Sequence, residues 1–213
     1  MTGSSVGEIL TGLWRFEALH PDWTEDEGGD EDGWEQSVAW WAIATPRGLV
    51  LVDPLVSDFV ELDRIVGQCG GCAGVVRTCH WHQRSVAEAS DRYRAGVWAH
   101  PPPDGTPRHP LDHAVSDRES FLEGFVAVDV ERADEIALWL PGHGTLLFGD
   151  AMIRRQGGEL RVCPDSWTQP KGGPARLRAV LASLADLPVE HVLVAHGPLV
   201  LGDGLASLHA ALR

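Results

Sequence analysis

Two histidines, His80 and His82, flank Trp81 just after the apolar run Gly74 to Thr78. An aspartate, Asp150, follows the run Thr145 to Gly149, and a further histidine, His196, follows His191 to Ala195. Each polar group stands where a strand-like segment ends, and such ends are where sheet proteins collect ligands. Three imidazoles and one carboxylate make a nitrogen and oxygen donor set that suits zinc and is also acceptable to iron or manganese. Residues at i and i+2 point to opposite sides of extended chain, so a turn must follow the strand if His80 and His82 are to face one ion.

The elements that must position these groups read as an α/β pattern. Apolar runs of strand length alternate with segments of helical spacing, separated by turn residues. Val38 to Thr45 and Leu49 to Val52 read as a hairpin closing at Pro46-Arg47-Gly48, and Asp53 stands at its end. Asp58 to Val66 is helical in spacing, Gly70-Gly71 stops it, and Ser85 with Glu88 has the capping-box spacing for a helix running to about Arg94. Val97 to Ala99, Phe125 to Val130, Ile136 to Leu140, Thr145 to Phe148 and His191 to Val194 are expected strands. Ala175 to Leu187 and Leu205 to Leu212 are expected helices, and residues 101–118, with His109 and His113, are expected to be loop. No internal linker or short repeat divides residues 1–213, so one domain is expected.

In this order the motifs resemble those of the metallo-β-lactamase fold, an αββα sandwich. The resemblance covers roughly residues 36–213. It rests on the strand ending in Asp53, on the histidine-rich TCHWHQRS at 78–85, on LLFGDAM at 146–152 with Asp150, and on VAHGP at 194–198 with His196. It implies metal ligands at His80, His82, Asp150 and His196, catalytic work for Asp150 and His196, and an orienting role for Asp53.

The departures from the family pattern fall on the second metal. Where the family's motif reads His-any-His-any-Asp-His, this chain has Arg84 and Ser85 in the last two places. Arg84 is permanently cationic and could pair with Asp150 in place of an ion, or line the pocket for substrate; Ser85 reads as a helix N-cap rather than a nucleophile. The family's third histidine falls near Glu131, within DVERADE at 129–135, so Glu131 is the candidate oxygen ligand there. His143 lies in the turn between two strands, roughly 20 Å from Asp150 by strand rise, and is rejected as a ligand. Trp81 is a candidate pocket wall. The expected centre therefore holds one zinc ion, with iron, manganese or a metal-free state as alternatives. It would hydrolyse a small ester, lactone, thioester or amide, and the competing expectation is a degenerate member that binds a small molecule or protein without hydrolysis.

Composition narrows the partners. The 213 residues carry a formal charge of −14, which disfavours nucleic acid and anionic lipid. Eight acids and no base lie within residues 22–35, between Trp23 and Trp34 or just outside them, making a loop that could reach over the site and disfavour polyanionic substrates. No apolar run is long enough to span a membrane, and MTGSSVGEIL lacks the features of an export signal, so a cytoplasmic protein is expected. Cys69, Cys72, Cys79 and Cys163 are expected as free thiols.

Overall fold

The computed structural model describes residues 5–29, 32–102, 111–155, 157–168 and 173–213, so His109 and the acids Asp30 and Glu31 lie outside the described residues. The chain begins with strands β1 (Ser5–Leu10) and β2 (Leu13–Leu19), a short helix α1 (Glu25–Gly29), and strands β3 (Ser37–Thr45) and β4 (Gly48–Val52). Helix α2 (Val60–Gln68), strand β5 (Cys72–Arg77), helix α3 (Val86–Tyr93), and strands β6 (Val97–Ala99) and β7 (His113–Ala114) follow. These seven strands form one sheet in sequence order, antiparallel through β4 and parallel from there to β7.

The second half continues with β8 (Ser120–Phe121), β9 (Phe125–Asp129), β10 (Ile136–Leu140) and β11 (Thr145–Phe148). A hairpin of β12 (Met152–Arg154) and β13 (Leu160–Val162), helix α4 (Gly173–Leu184), strand β14 (His191–Val194) and helix α5 (Gly204–Ala211) complete the chain. The second sheet has the order β14-β11-β10-β9-β8, with β14 parallel to β11.

Period-two alternation explains why the sheets stack. Ala39, Trp41 and Ile43 of β3 face the second sheet with Val50 and Val52 of β4, meeting Ala127, Ile136, Leu138, Leu147 and Leu193. Trp40, Ala42, Leu49 and Leu51 point the other way and pack on Leu62 and Ile65 of α2 and Val86 and Ala89 of α3. On the far side, Ala137, Leu146, Phe148, Val192 and Val194 pack on Leu177, Leu181 and Leu184 of α4 and on Leu208 of α5. Strands buried on both faces read as unbroken apolar runs, and each fully buried large aliphatic side chain stabilises by about 1.5–3 kcal/mol. The layers are thus helix, sheet, sheet, helix, the expected αββα sandwich.

The ends of β4, β5, β9, β11 and β14, and the start of β10, lie along one edge of the sandwich. Backbone bonds tie the two sheets together there: Ala39 N–H donates to the Ala195 carbonyl at 2.8 Å, and Ile136 N–H to that of Thr78 at 2.9 Å. The four cysteines are free thiols. Among the described residues no helix is long and apolar enough to cross a membrane.

Candidate functional site

At the end of β4, Asp53 takes a left-handed backbone conformation with φ 50°. Its side chain turns toward β5, where Oδ1 accepts the Thr78 N–H at 2.7 Å and Oδ2 the Thr78 hydroxyl at 2.5 Å. The chain leaves β5 through extended Cys79 into a single 3₁₀ turn, His80–Gln83. That turn sends the two histidines of the motif to different partners. His82 is buried, its Nδ1 2.7 Å from Asp53 Oδ2 and its Nε2 3.1 Å from Asp150 Oδ1. His80 Nδ1 lies 2.6 Å from Asp134 Oδ1, and the ring stacks on Trp81 with centroids 3.9 Å apart.

Asp150 follows β11 after Gly149, where a Cβ would stand 2.5 Å from the Thr78 hydroxyl, so glycine alone lets these strand ends approach. His196 follows β14, and its Nε2 lies 3.1 Å from the same Asp150 Oδ1 that faces His82. Gly197 is fixed by a similar closeness, since a Cβ there would lie 1.4 Å from the Arg154 carbonyl oxygen. Asp53, His82, Asp150 and His196 therefore form one line of alternating carboxylates and imidazoles.

The connection from β9 to β10 contributes residues that the sequence reading passed over. Glu135 is fully buried, and its Oε1 accepts the backbone N–H groups of Asp150 and Ala151, each at 2.8 Å. Its Oε2 pairs with Arg132 Nη1 at 2.5 Å, and the same Nη1 lies 3.6 Å from Asp150 Oδ2. Arg132 also donates to the Trp167 carbonyl at 2.9 Å and lies 4.8 Å over the Trp81 ring. A signal existed: four charges in a six-residue link between two buried strands have little solvent to face.

Several expectations land elsewhere. Glu131 does not join the cluster; its carboxylate pairs with Arg176 at the surface. Arg132, not Arg84, is the guanidinium that approaches Asp150. Arg84 instead donates through Nη1 to the carbonyls of Ala39 at 3.4 Å and Asp53 at 3.3 Å, because it lies on the β3 and β4 side of the site. Ser85 makes no side-chain cap bond; its hydroxyl accepts the Val56 N–H at 3.0 Å. His143 sits in the β10 to β11 turn, 3.2 Å from the Thr11 carbonyl oxygen. His113 is in β7, stacked on Trp98.

Burial and the Arg84 guanidinium both pull the His82 imidazole down, but Cys79 and the carboxylates of Asp53 and Asp150 outweigh them and hold it well above its ordinary value. For Asp150, burial is outweighed by His82 and His196, which hold the carboxyl well below the usual range. Burial keeps His196 below its ordinary value despite Asp150, and burial pushes the Cys79 thiol up to about 11. His196 Nδ1 is buried without a hydrogen-bond partner. A bare lone pair there costs less than an unpaired N–H, so the favoured tautomer places the proton on Nε2, donated to Asp150.

A single metal ion fits the donors. Ligand atoms of Cys79, His82 and Asp150 lie within 4.8 Å of one another. Donors sharing one tetrahedral zinc at 2.0–2.3 Å stand roughly 3.3–3.8 Å apart, so only a small inward shift is needed. Asp53 behind His82 Nδ1 is the outer carboxylate that orients a ligand histidine. Among the described residues Cys79, His82 and Asp150 are the group of His, Cys, Asp and Glu side chains close enough to hold an ion.

Beside the cluster opens a cavity of about 500 Å³ lined by His20, Asp22, Trp34, Trp81, His82, Arg84, Arg132, Asp150, Ser166, Trp167 and His196. The acidic segment contributes its ends to this rim. Trp34 and Trp167 both meet the His196 ring edge-on, with centroids 5.3 and 5.6 Å away. The Trp23 indole N–H donates to the Trp34 carbonyl at 2.8 Å, and Ser166 to Asp32 at 2.7 Å, so the ends of the segment are tied to each other and to the cavity rim.

No family model matches the chain, and no curated protein matches it. Solved structures do. The metallo-β-lactamase FIM-1 from Pseudomonas aeruginosa in its mono-zinc form aligns with a TM-score of 0.72 at 17% identity, covering 99% of this chain and 95% of that one. The metallo-β-lactamase from Pontibacter korlensis aligns at 0.68 with 16% identity and 99% of both chains. TTHA1623 in a di-iron-bound form aligns at 0.63 with 22% identity, covering 82% of this chain and 93% of that one. The chain has the metallo-β-lactamase fold, and within it a triad of side chains able to take a metal ion.

Proposed function

We propose that the protein is a mononuclear metal-dependent hydrolase acting on a small ester, lactone, thioester or amide in the cavity beside Asp150. The observation that carries this reading is the closeness of ligand atoms of Cys79, His82 and Asp150, the last two of which line the cavity. When bound, zinc or a similar ion supplies Lewis acidity toward a carbonyl and lowers the pKa of water. Cys79, His82 and Asp150 would hold it. Asp53 fixes His82 with Nε2 toward the centre, His196 steadies Asp150 by donating from Nε2, and Glu135 fixes the backbone that carries Asp150. Trp34 and Trp167 shield this corner from water, which strengthens every electrostatic interaction within it. A small organic molecule is the proposed partner, with neither nucleic acid nor membrane engaged, and the acids at the rim weigh against polyanions.

A second reading has its own observation. Three buried carboxylates, Asp53, Asp150 and Glu135, already face three cations, His82, Arg84 and Arg132, so the cluster balances its charge without an ion. On that reading the cavity binds a small molecule without hydrolysing it. A panel of esters, lactones, thioesters and amides, assayed with native protein, after chelation and after zinc is restored, separates the two. Turnover lost on chelation and recovered with zinc supports the hydrolase. Turnover absent throughout the panel, with less than about a tenth of an equivalent of metal bound, refutes it.

A further inference from the structure

The cavity holds two guanidiniums, and the protein uses them unequally. Arg132 is committed to Glu135, to the Trp167 carbonyl and to the neighbourhood of Asp150. Among the described residues Arg84 is engaged only through Nη1, by two contacts at 3.3 and 3.4 Å, the long end of the hydrogen-bond range. Its Nε is buried with no partner among the described residues. A guanidinium carries five donors, and an unpaired buried donor costs about 1–3 kcal/mol, so a side chain left in this state lacks an acceptor.

The backbone at Arg84 carries a second sign. Its φ is 33° and ψ −122°, in a region that glycine enters freely and other residues enter at a cost of about 1–3 kcal/mol. That strained residue follows the turn that presents His82, and its side chain lines the cavity. Around it stand the indoles of Trp34, Trp81 and Trp167, and at the rim Asp22.

Resting on the reading of this cavity as the substrate site, we propose that Arg84 anchors the carboxylate of a substrate that carries one such group on an apolar, aromatic-sized body. A carboxylate offers two coplanar oxygens that match adjacent guanidinium donors, which a neutral amide does not. The tryptophans take the apolar body, and a cavity of about 500 Å³ is in the range that encloses an organic molecule of this size. Asp22 and Asp150 repel further negative charge, so a monocarboxylate is favoured over a phosphate dianion. Charged substrate and acidic segment are thus compatible, because the segment selects against the second charge rather than the first.

Isothermal titration with 3-phenylpropanoate and with 3-phenylpropanamide, its uncharged counterpart, tests the proposal. Wild-type protein should bind the acid about 10- to 100-fold more tightly than the amide. The preference should survive removal of metal by chelator, disappear in Arg84→Gln and be partly retained in Arg84→Lys. Equal binding of acid and amide, or binding of neither, overturns it. So does a preference that is lost on chelation, which would assign the carboxylate to the ion, or one that persists in Arg84→Gln. The wild-type comparisons can overturn the proposal even if Arg84→Gln fails to fold, and Arg84→Lys then carries the assignment to Arg84. Acid preference without turnover would sink the hydrolase reading and leave the anchor standing; turnover without acid preference would do the reverse.

Discussion

Two arms of the same sandwich edge carry the residues that the sequence motifs bring forward, and they behave differently. One arm, from the ends of β4, β11 and β14 and the second half of the 3₁₀ turn, delivers Asp53, Asp150, His196 and His82 to a single buried line. The other, from the first half of that turn and the β9 to β10 connection, turns His80 onto Asp134 and Glu131 onto Arg176, and puts Arg132 beside Asp150. The converging arm rests on backbone that cannot move, through Gly149, Gly197 and the Thr78 bonds to Asp53. In the diverging arm Glu131 pairs with exposed Arg176, and His80 Nδ1 lies against Asp134.

The comparison predicts unequal effects of substitution. Glu135→Ala should cost the most, because it strips the charge partner from buried Arg132 and the acceptor from two backbone N–H groups. Breaking such a pair costs about 3–5 kcal/mol, or a fall in Tm of roughly 6–20 °C for a chain of this size, read by thermal circular dichroism. A Tm unchanged in Glu135→Ala would break the distinction between the buried and surface partners of the β9 to β10 connection. His196→Ala should weaken zinc binding about 10- to 100-fold, the usual cost of losing a group that orients a ligand, as measured by competition with a chromogenic chelator.

pH should act in the same assay with a definite sign. Because His82 holds its proton well above the ordinary histidine value, zinc must displace that proton. The Cys79 thiol, pushed up to about 11, must give up its proton as well, so apparent affinity in chelator-stripped protein should rise about a hundredfold per pH unit until His82 deprotonates on its own, and about tenfold per unit above that. A rise of only about tenfold per unit throughout would mean that His82 is not a ligand. Glu131→Ala should do least, leaving Tm and zinc affinity within experimental error, since both partners of its pair are exposed. A measurable loss of zinc would restore Glu131 to the centre and erase the contrast between the arms.

Much of the sandwich was legible because β3, β4, β10, β11 and β14 are buried on both faces, and their apolar runs stand out against turns. The β1 and β2 hairpin at the edge, half exposed and alternating, carried no such contrast, and β12 and β13 are three residues each. At the site, Asp53, His82, Asp150 and His196 could be named because each follows a strand by one or a few residues, so sequence position nearly determines spatial position. His80 could not be resolved from His82, since which side of a 3₁₀ turn faces inward depends on partners such as Asp134, fifty-four residues later. Arg132 and Glu135 were missed because a charged link between strands ordinarily faces water. Cys79 reads from the sequence as a free thiol, and its approach to Asp150 depends on the packing of two sheets.

The central claim is one ion, held through His82 and not through His80. Metal content of the purified protein, by plasma mass spectrometry after zinc loading and desalting, tests it directly when wild type, His82→Ala and His80→Ala are run together. The account predicts about one equivalent in wild type and in His80→Ala, and close to none in His82→Ala. Two equivalents in wild type, none in wild type, or loss of the ion in His80→Ala would contradict it.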